Sequence, residues 1–257
     1  MDLTKKTVKA KRPCADGFRW FVRNHQNGGD YQDLLDALVA DGRVDDACWL
    51  LDQFGPTDAV LELDDLEADA LVFAGSVHVR GGIDVASVLR TGRMLRVGGS
   101  IRAGRTVAAG EDIAVAGGIR CTGTLQSGGD IKAGWHVEAD EAIRCGGELR
   151  VGWELRCGGP LTLAGNTMVG HDLVALGAVR CGKSLRVGGT LTSPESIQAI
   201  HGIESGAAIR CGMHLEAGWG IKAAEAIVPH GGIRARESLQ AGEGIRAGAR
   251  YGVDDGV

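Results

Sequence analysis

The chain has 257 residues and a formal net charge of −5, and its 44% hydrophobic and 24% charged content is typical of a globular protein rather than a disordered one. No apolar run approaches the roughly 18 residues that span a bilayer, and residues 1–13 lack the apolar segment of a signal peptide. We therefore expect a cytoplasmic protein without membrane contact.

Residues 1–13 are basic, with four lysines and one arginine against Asp2. We expect a flexible, poorly ordered N-terminus, which is the common behaviour of a short charged terminus. The alternative is an arm for nucleic acid or an acidic partner. The segment contains no aromatic residue that would stack on a base.

Residues 14–56 predict a helical cap domain of three short helices. The first has Phe18 and Phe21 on one face, the second begins after the N-cap residue Asp30, and the third covers residues 44–53. Such a small bundle cannot form a large core alone, so we expect it to pack on the segment that follows and to cover its exposed end.

Acidic residues accumulate from Asp30 to Asp69, where thirteen acids and one base give a local charge of −12. This run includes an acidic connector at residues 57–70. It predicts a surface that attracts a basic partner and repels nucleic acid, and the alternative is a solvated helical surface. The candidate partner-binding acids are Asp30, Asp33, Asp36, Asp41, Asp45, Asp46, Asp52, Asp58, Asp64 and Asp65.

Residues 71–250 divide into thirty consecutive blocks of six residues, such as LRVGGS, IRAGRT and IRCGGE. The first place is Leu, Ile or Val in 29 blocks, the third is small or apolar, and the fourth is Gly in 17. Since alternate strand residues share a face, each block predicts a three-residue strand and a bend, where glycine supplies φ values closed to other residues.

Strands this short cannot bury an apolar face alone, so the blocks must stack. We predict a mainly β protein: a single-stranded parallel β-helix, or β-solenoid, over residues 71–257, with about three hexads per turn. About ten coils at the usual strand spacing give a rod about 48 Å long.

Five of the seven cysteines occupy the inward third place, where we expect them to act as small core residues. No Cys or His spacing matches a zinc site, so we predict no metal and no cofactor. Arginines and lysines at the outward second place divide over all three faces of such a solenoid. This distribution disfavours nucleic-acid binding.

Trp135 and Trp153 are eighteen positions apart, which predicts that they stack on one corner of adjacent coils. Exposed, paired aromatic residues are typical anchors of protein interfaces, and we take both as candidate partner-binding residues. The alternative is that they cover the corner or pack on the helical cap. Trp219 is a weaker example of the same kind.

No catalytic motif is present, and the seven histidines do not cluster in sequence. We therefore predict that the protein is not an enzyme. The hexads are similar to those of hexapeptide-repeat acyltransferases, which is a second alternative. Those enzymes place a histidine beside a loop that leaves the solenoid, and residues 71–250 contain no such insertion.

Two further resemblances imply different functions. The repeat region resembles bactofilins, bacterial β-helical proteins that polymerise end to end, which implies a structural scaffold. The run CADGFRWFVRNHQNGGDYQDLLDALVADGRVDDACWLL resembles a helical module found ahead of repeat segments in bacterial proteins. These include immunity proteins paired with toxins of type VI secretion.

The acidic run and the absence of a catalytic motif predict a protein-binding scaffold that neutralises a partner by occlusion. The resemblance of the helical run implies that this scaffold is an immunity protein against a nuclease-type bacterial toxin. The acidic segment would meet the basic, DNA-facing surface of the toxin, and Trp135 and Trp153 would add apolar contact. We expect a monomer or small oligomer that binds no nucleic acid directly. The alternative is a bactofilin-like polymer.

Overall fold

The computed structural model describes residues 2–248, which form a β-solenoid preceded by a helical region. Residues 249–257, the end of the predicted solenoid domain, lie outside the described residues. The helices are α1 (Lys5–Ala10), α2 (Ala15–Asn24), α3 (Tyr31–Ala40) and α4 (Val44–Phe54). A short antiparallel pair joins β1 (Asp2–Leu3) to β2 (Gly29–Asp30).

Helices α2 to α4 are the three helices predicted from the sequence. Asp30 is the N-cap of α3, and its side chain accepts a hydrogen bond of 2.9 Å from the backbone N–H of Gln32. Helix α4 ends at Gly55, whose φ of +78° lies in the left-handed region that favours glycine.

Helix α1 differs from the expectation of a flexible N-terminus at residues 1–13. Thr4 and Thr7 form a reciprocal capping box at its start. Leu3 and Val8 are buried in the core of the helical region, beside Phe21. Two apolar side chains among the lysines are enough to fix the segment, because they complete a small core that the other helices leave open.

The solenoid consists of three parallel sheets, and each complete coil contributes one strand to each sheet. Sheet I contains β3 (Val60–Leu63), β6 (Ser76–Val79), β9 (Leu95–Val97), β12 (Ile113–Val115), β15 (Ile131–Ala133), β18 (Leu149–Val151), β21 (Thr167–Val169), β24 (Leu185–Val187), β27 (Ile203–Ser205), β30 (Ile221–Ala223) and β33 (Leu239–Ala241). Sheet II contains β4 (Leu66–Ala68), β7 (Ile83–Val85), β10 (Ile101–Ala103), β13 (Ile119–Cys121), β16 (Val137–Ala139), β19 (Leu155–Cys157), β22 (Leu173–Ala175), β25 (Leu191–Ser193), β28 (Ile209–Cys211), β31 (Ala226–Pro229) and β34 (Gly244–Ile245). Sheet III contains β5 (Leu71–Phe73), β8 (Leu89–Thr91), β11 (Val107–Ala109), β14 (Leu125–Ser127), β17 (Ile143–Cys145), β20 (Leu161–Leu163), β23 (Val179–Cys181), β26 (Ile197–Ala199), β29 (Leu215–Ala217) and β32 (Ile233–Ala235).

The strand register confirms three hexads per turn. Ile101 pairs with Ile119, eighteen positions later, and the same step recurs through the solenoid. The first coil is shorter, because Leu61 pairs with Val77 after only sixteen positions. The segment predicted as an acidic connector, residues 57–70, therefore contributes β3 and β4 to the solenoid, and Leu66 packs against its core.

The glycines of the hexads have a different role from the one predicted. Among the described glycines, positive φ occurs at Gly28, Gly42, Gly55 and Gly248, and at none between residues 75 and 242. A Cβ at a fourth-place glycine such as Gly158 would instead overlap a backbone carbonyl of the preceding coil. Glycine serves there to let stacked corners approach closely.

The first and third places of the blocks fill the interior, as predicted, and form one continuous core, except at the C-terminal end, where the first-place residues Leu239 and Ile245 are exposed. The third-place cysteines Cys121 and Cys211 are buried, and burial raises the pKa of their thiols to about 12 and about 11. Thr167, the exception at the first place, is also buried, and its hydroxyl lies 3.7 Å from the Sγ of Cys181.

The helical region packs on the outer side of β5, the terminal strand of sheet III. Val72 and Ala74 turn outward into the helical core and are buried there. The Gln32 side chain accepts a hydrogen bond of 2.9 Å from the Ala74 N–H and donates one of 3.1 Å to the Val72 carbonyl. An exposed strand edge is thereby covered, which agrees with the predicted capping role for this sheet.

Candidate functional site

A band of arginines in the second and third coils meets the acids of the helical region and of the first coil. Residues 89–106 contain five arginines and no acid. Arg90 pairs with Asp52 at 2.8 Å, and Arg105 approaches Asp45 at 3.7 Å. Arg93 reaches Asp58 at 3.0 Å. Exposed pairs contribute at most about 1 kcal/mol each, so their main effect is to orient the helical region.

The other candidate acids also have contacts within the chain. Asp46 pairs with Arg43, and Asp64 pairs with Arg80. Hydrogen bonds reach Asp41 from the Trp20 indole, Asp65 from the Gly82 N–H, and Asp36 from the Gln32 amide. Asp30 caps α3, and Asp33 is exposed on the same helix. Five of the ten candidate aspartates thus form ion pairs with bases within residues 2–248.

The helical region as a whole is close to neutral, because the ordered basic α1 belongs to it. Residues 1–56 carry nine acids and eight bases, whereas residues 57–70 of the first coil carry six acids and no base. The strongest local negative charge therefore lies on the first coil. The sequence estimate of −12 excluded α1 and the arginines of the second and third coils that pair with these acids.

The two candidate tryptophans lie on one corner, as predicted. The Trp153 N–H donates a hydrogen bond of 2.8 Å to the Trp135 carbonyl, and their side chains are 54% and 67% exposed. His171 occupies the same place in the next coil, with its ring stacked on Trp153 at 4.7 Å and 13°. We call Trp135, Trp153 and His171 the aromatic corner, which lies between sheets I and II.

Trp219 belongs to a second corner, between sheets III and I. Its ring stacks on His201 at 4.2 Å and 7°. Sequence reasoning missed both histidines as members of the aromatic stacks. The eighteen-residue period predicts both stacks. His171 lies eighteen positions after Trp153, and Trp219 lies eighteen positions after His201.

A shallow groove of about 960 Å³ runs along sheet I beside the aromatic corner. Its outward-facing lining includes Arg96, Ala114, Lys132 and Met168. The small Ala114 side chain leaves a depression between the longer side chains on either side. Gly152, which precedes Trp153, also lines the groove, so groove and corner form one continuous surface.

The outward bases divide over three faces, as predicted. On sheet I, Lys132 pairs with Asp130 at 3.1 Å, and Arg150 with Glu148 at 2.6 Å. Arg186 pairs with Glu204 of the next coil at 2.9 Å. These acids reduce the positive field along the face.

Three possible metal ligands meet beside the aromatic corner, although the sequence predicted no metal site. Ligand atoms of Glu154, His171 and Asp172 lie within 4.8 Å of one another. Their spacing matches no zinc motif, but Asp172 follows Glu154 by one turn of eighteen residues. The solenoid period, rather than a local motif, brings them together.

The fold and the exposed corner define a β-solenoid protein with an N-terminal helical domain. Residues 1–54 match the family model of the YdhT N-terminal domain, and the match covers the helical region alone. No curated protein and no solved structure matches the chain. Within residues 2–248, no helix has the length and apolar character needed to cross a membrane.

Proposed function

We propose that the protein is a non-enzymatic, cytoplasmic binding scaffold whose protein partner contacts the aromatic corner. The observation that carries the proposal is the display of Trp135 and Trp153 on adjacent coils, both more than half exposed. Tryptophan is enriched among residues that dominate binding energy. A backbone ladder holds both side chains, so little main-chain entropy is lost when a partner binds.

The groove on sheet I extends this surface and favours a partner segment of mixed character. Ala114 and Met168 offer apolar contact, while Arg96 and Lys132 place cations at the groove. An extended segment with apolar and acidic side chains would satisfy both features. Lys132 already has Asp130 as a partner, so we expect Arg96 to make the stronger contact.

A more specific form of the proposal is that the partner is a nuclease-type toxin, neutralised by occlusion. Support comes from the resemblance of the helical run to modules in immunity proteins and from the six acids at residues 57–70. Asp45 and Asp52 pair with solenoid arginines, and so do Asp58 and Asp64 of the first coil. We therefore place the contact with a basic toxin surface at Glu62, Glu67 and Asp69 of the first coil, which are exposed and form no ion pair among residues 2–248.

The helical region also supports a monomer or small oligomer rather than a bactofilin-like polymer. Growth from this end would require a second chain to pair with the terminal strands of the sheets. On sheet III, Gln32 hydrogen-bonds to β5, and Val72 and Ala74 are buried under the helices. A second solenoid therefore cannot dock there without displacing the helical region.

The test is affinity capture from the native host with three forms of the tagged protein. We expect wild type and the matched control Trp219→Ala to recover one stoichiometric protein, identified by mass spectrometry. The double variant Trp135→Ala/Trp153→Ala should recover at least about tenfold less. Absence of a stoichiometric partner, or equal recovery by the double variant, would contradict the proposal.

The toxin form has a separate readout. The captured protein should cleave nucleic acid when freed from the complex and lose that activity when the scaffold is added back. A partner without toxicity on expression would exclude this form and leave the general binding proposal intact.

A further inference from the structure

The cluster of Glu154, His171 and Asp172 is assembled by stacking two coils. The backbone N–H of Leu155 donates a hydrogen bond of 3.0 Å to the Asp172 carbonyl, which fixes the two acidic positions one above the other. His171 precedes Asp172 and reaches the same space from the aromatic corner. Within residues 2–248, no other three His, Cys, Asp or Glu residues converge as closely.

Two of the three side chains are already oriented by neighbours. The Asp172 carboxylate accepts a hydrogen bond of 2.6 Å from the Thr190 N–H through Oδ1, and its Oδ2 lies 3.1 Å from His171 Nδ1. The His171 ring lies flat on the Trp153 indole. Outer contacts of this kind hold ligand side chains in position and commonly change metal affinity by tenfold or more.

We propose that Glu154, His171 and Asp172 bind a divalent transition-metal ion of the zinc or cobalt type. One imidazole nitrogen and two carboxylate oxygens are a donor set that these ions accept. Metal–ligand bonds of about 2.1 Å place neighbouring donors about 3.4 Å apart in a tetrahedron. Since the donor atoms lie within 4.8 Å, side-chain rotations of about 1 Å complete the site.

Three protein ligands leave one coordination position for water or for a side chain of another molecule. Arg156 competes with the ion, because its guanidinium lies 3.3 Å from a Glu154 oxygen. Removal of this arginine charge should therefore strengthen metal binding. This inference does not depend on the protein-binding proposal, since the ligands and their contacts all belong to one chain.

The experiment is a Co²⁺ titration of the full-length protein, followed by tryptophan fluorescence and by the visible absorption of the ion. Bound Co²⁺ should quench Trp153, which stacks directly on the ligand His171. We expect saturable 1:1 binding that Zn²⁺ displaces, and the fluorescence change should be lost in Trp153→Phe. Binding only at millimolar Co²⁺ would overturn the proposal.

Conservative variants locate the ion. Glu154→Gln and His171→Gln should each weaken binding by at least about tenfold. Arg156→Gln should strengthen it, and His201→Gln, which alters the equivalent stack on Trp219, should bind like wild type. Unchanged affinity in Glu154→Gln and His171→Gln, or weaker binding in Arg156→Gln, would contradict the assignment. Circular dichroism melts confirm that each variant is folded.

Discussion

The junction between the helical region and the solenoid depends on Gln32, and the substitution Gln32→Leu tests it. Leucine has a similar size but neither accepts from the Ala74 N–H nor donates to the Val72 carbonyl. Ala74 is only 1% exposed, so its N–H would be left buried without a partner. Such a loss costs about 1–3 kcal/mol, and 2 kcal/mol corresponds to about thirtyfold in an equilibrium constant.

The assay is hydrogen exchange of the Ala74 amide under native conditions, which reports the local opening equilibrium. We expect exchange about thirtyfold faster in Gln32→Leu than in wild type. The matched control is Gln126→Leu, at an exposed outward position of β14, which should change stability by no more than about 0.5 kcal/mol. Equal Ala74 protection in wild type and Gln32→Leu would refute the reasoning about the junction.

Two further predictions concern the solenoid interior and its corners. In native protein at pH 8, a thiol reagent should modify the exposed Cys14 and spare the buried Cys121. Burial raises the pKa of the Cys121 thiol to about 12, so about one molecule in ten thousand carries the reactive thiolate at this pH. Rapid labelling of Cys121 in the native protein, measured by peptide mass spectrometry, would contradict this prediction. Gly158→Ala should lower the free energy of unfolding by about 1–3 kcal/mol in urea titrations, since the added Cβ would overlap the Asp140 carbonyl. The control Gly202→Ala, whose added Cβ has its nearest contact at 3.4 Å, should be close to neutral. Equal stability of the two variants would contradict the explanation that these glycines allow close approach of stacked corners.

The solenoid could be predicted from sequence because its determinants repeat. An apolar first place and a small third place recur without insertion, so strand, bend and inward face follow from one pattern. The same period placed Trp153 above Trp135. The same period also places His171 next to Trp153 and Asp172 next to Glu154. These neighbours were missed because metal ligands were sought only in short local motifs.

The first coil and helix α1 were harder to predict. In the first coil, Leu61 and Leu66 are inward, but the sixteen-residue step to Val77 breaks the hexad frame. Helix α1 depends on Leu3 and Val8 reaching a core made by distant residues. In both segments the few apolar residues that become buried form a weaker sequence pattern than the charged residues around them.

The ion pairs that join the helical region to the solenoid are likewise non-local. Asp52 and Arg90 are thirty-eight positions apart, and only the docking of α4 beside sheet III brings them together. From sequence alone, the acids looked available for a partner. In the structure part of that charge is paired with the chain's own arginines, and the proposed partner contact therefore rests on the aromatic corner.

Site-specific photo-crosslinking tests the central claim that this corner contacts a partner. A benzoylphenylalanine residue replaces Trp135 in one form of the protein and Trp219, on the other aromatic corner, in a second form. On irradiation in host cells, we predict that the form substituted at position 135 crosslinks to one discrete protein and that the form substituted at position 219 does not. No crosslink from position 135, or the same product from both positions, would contradict the account.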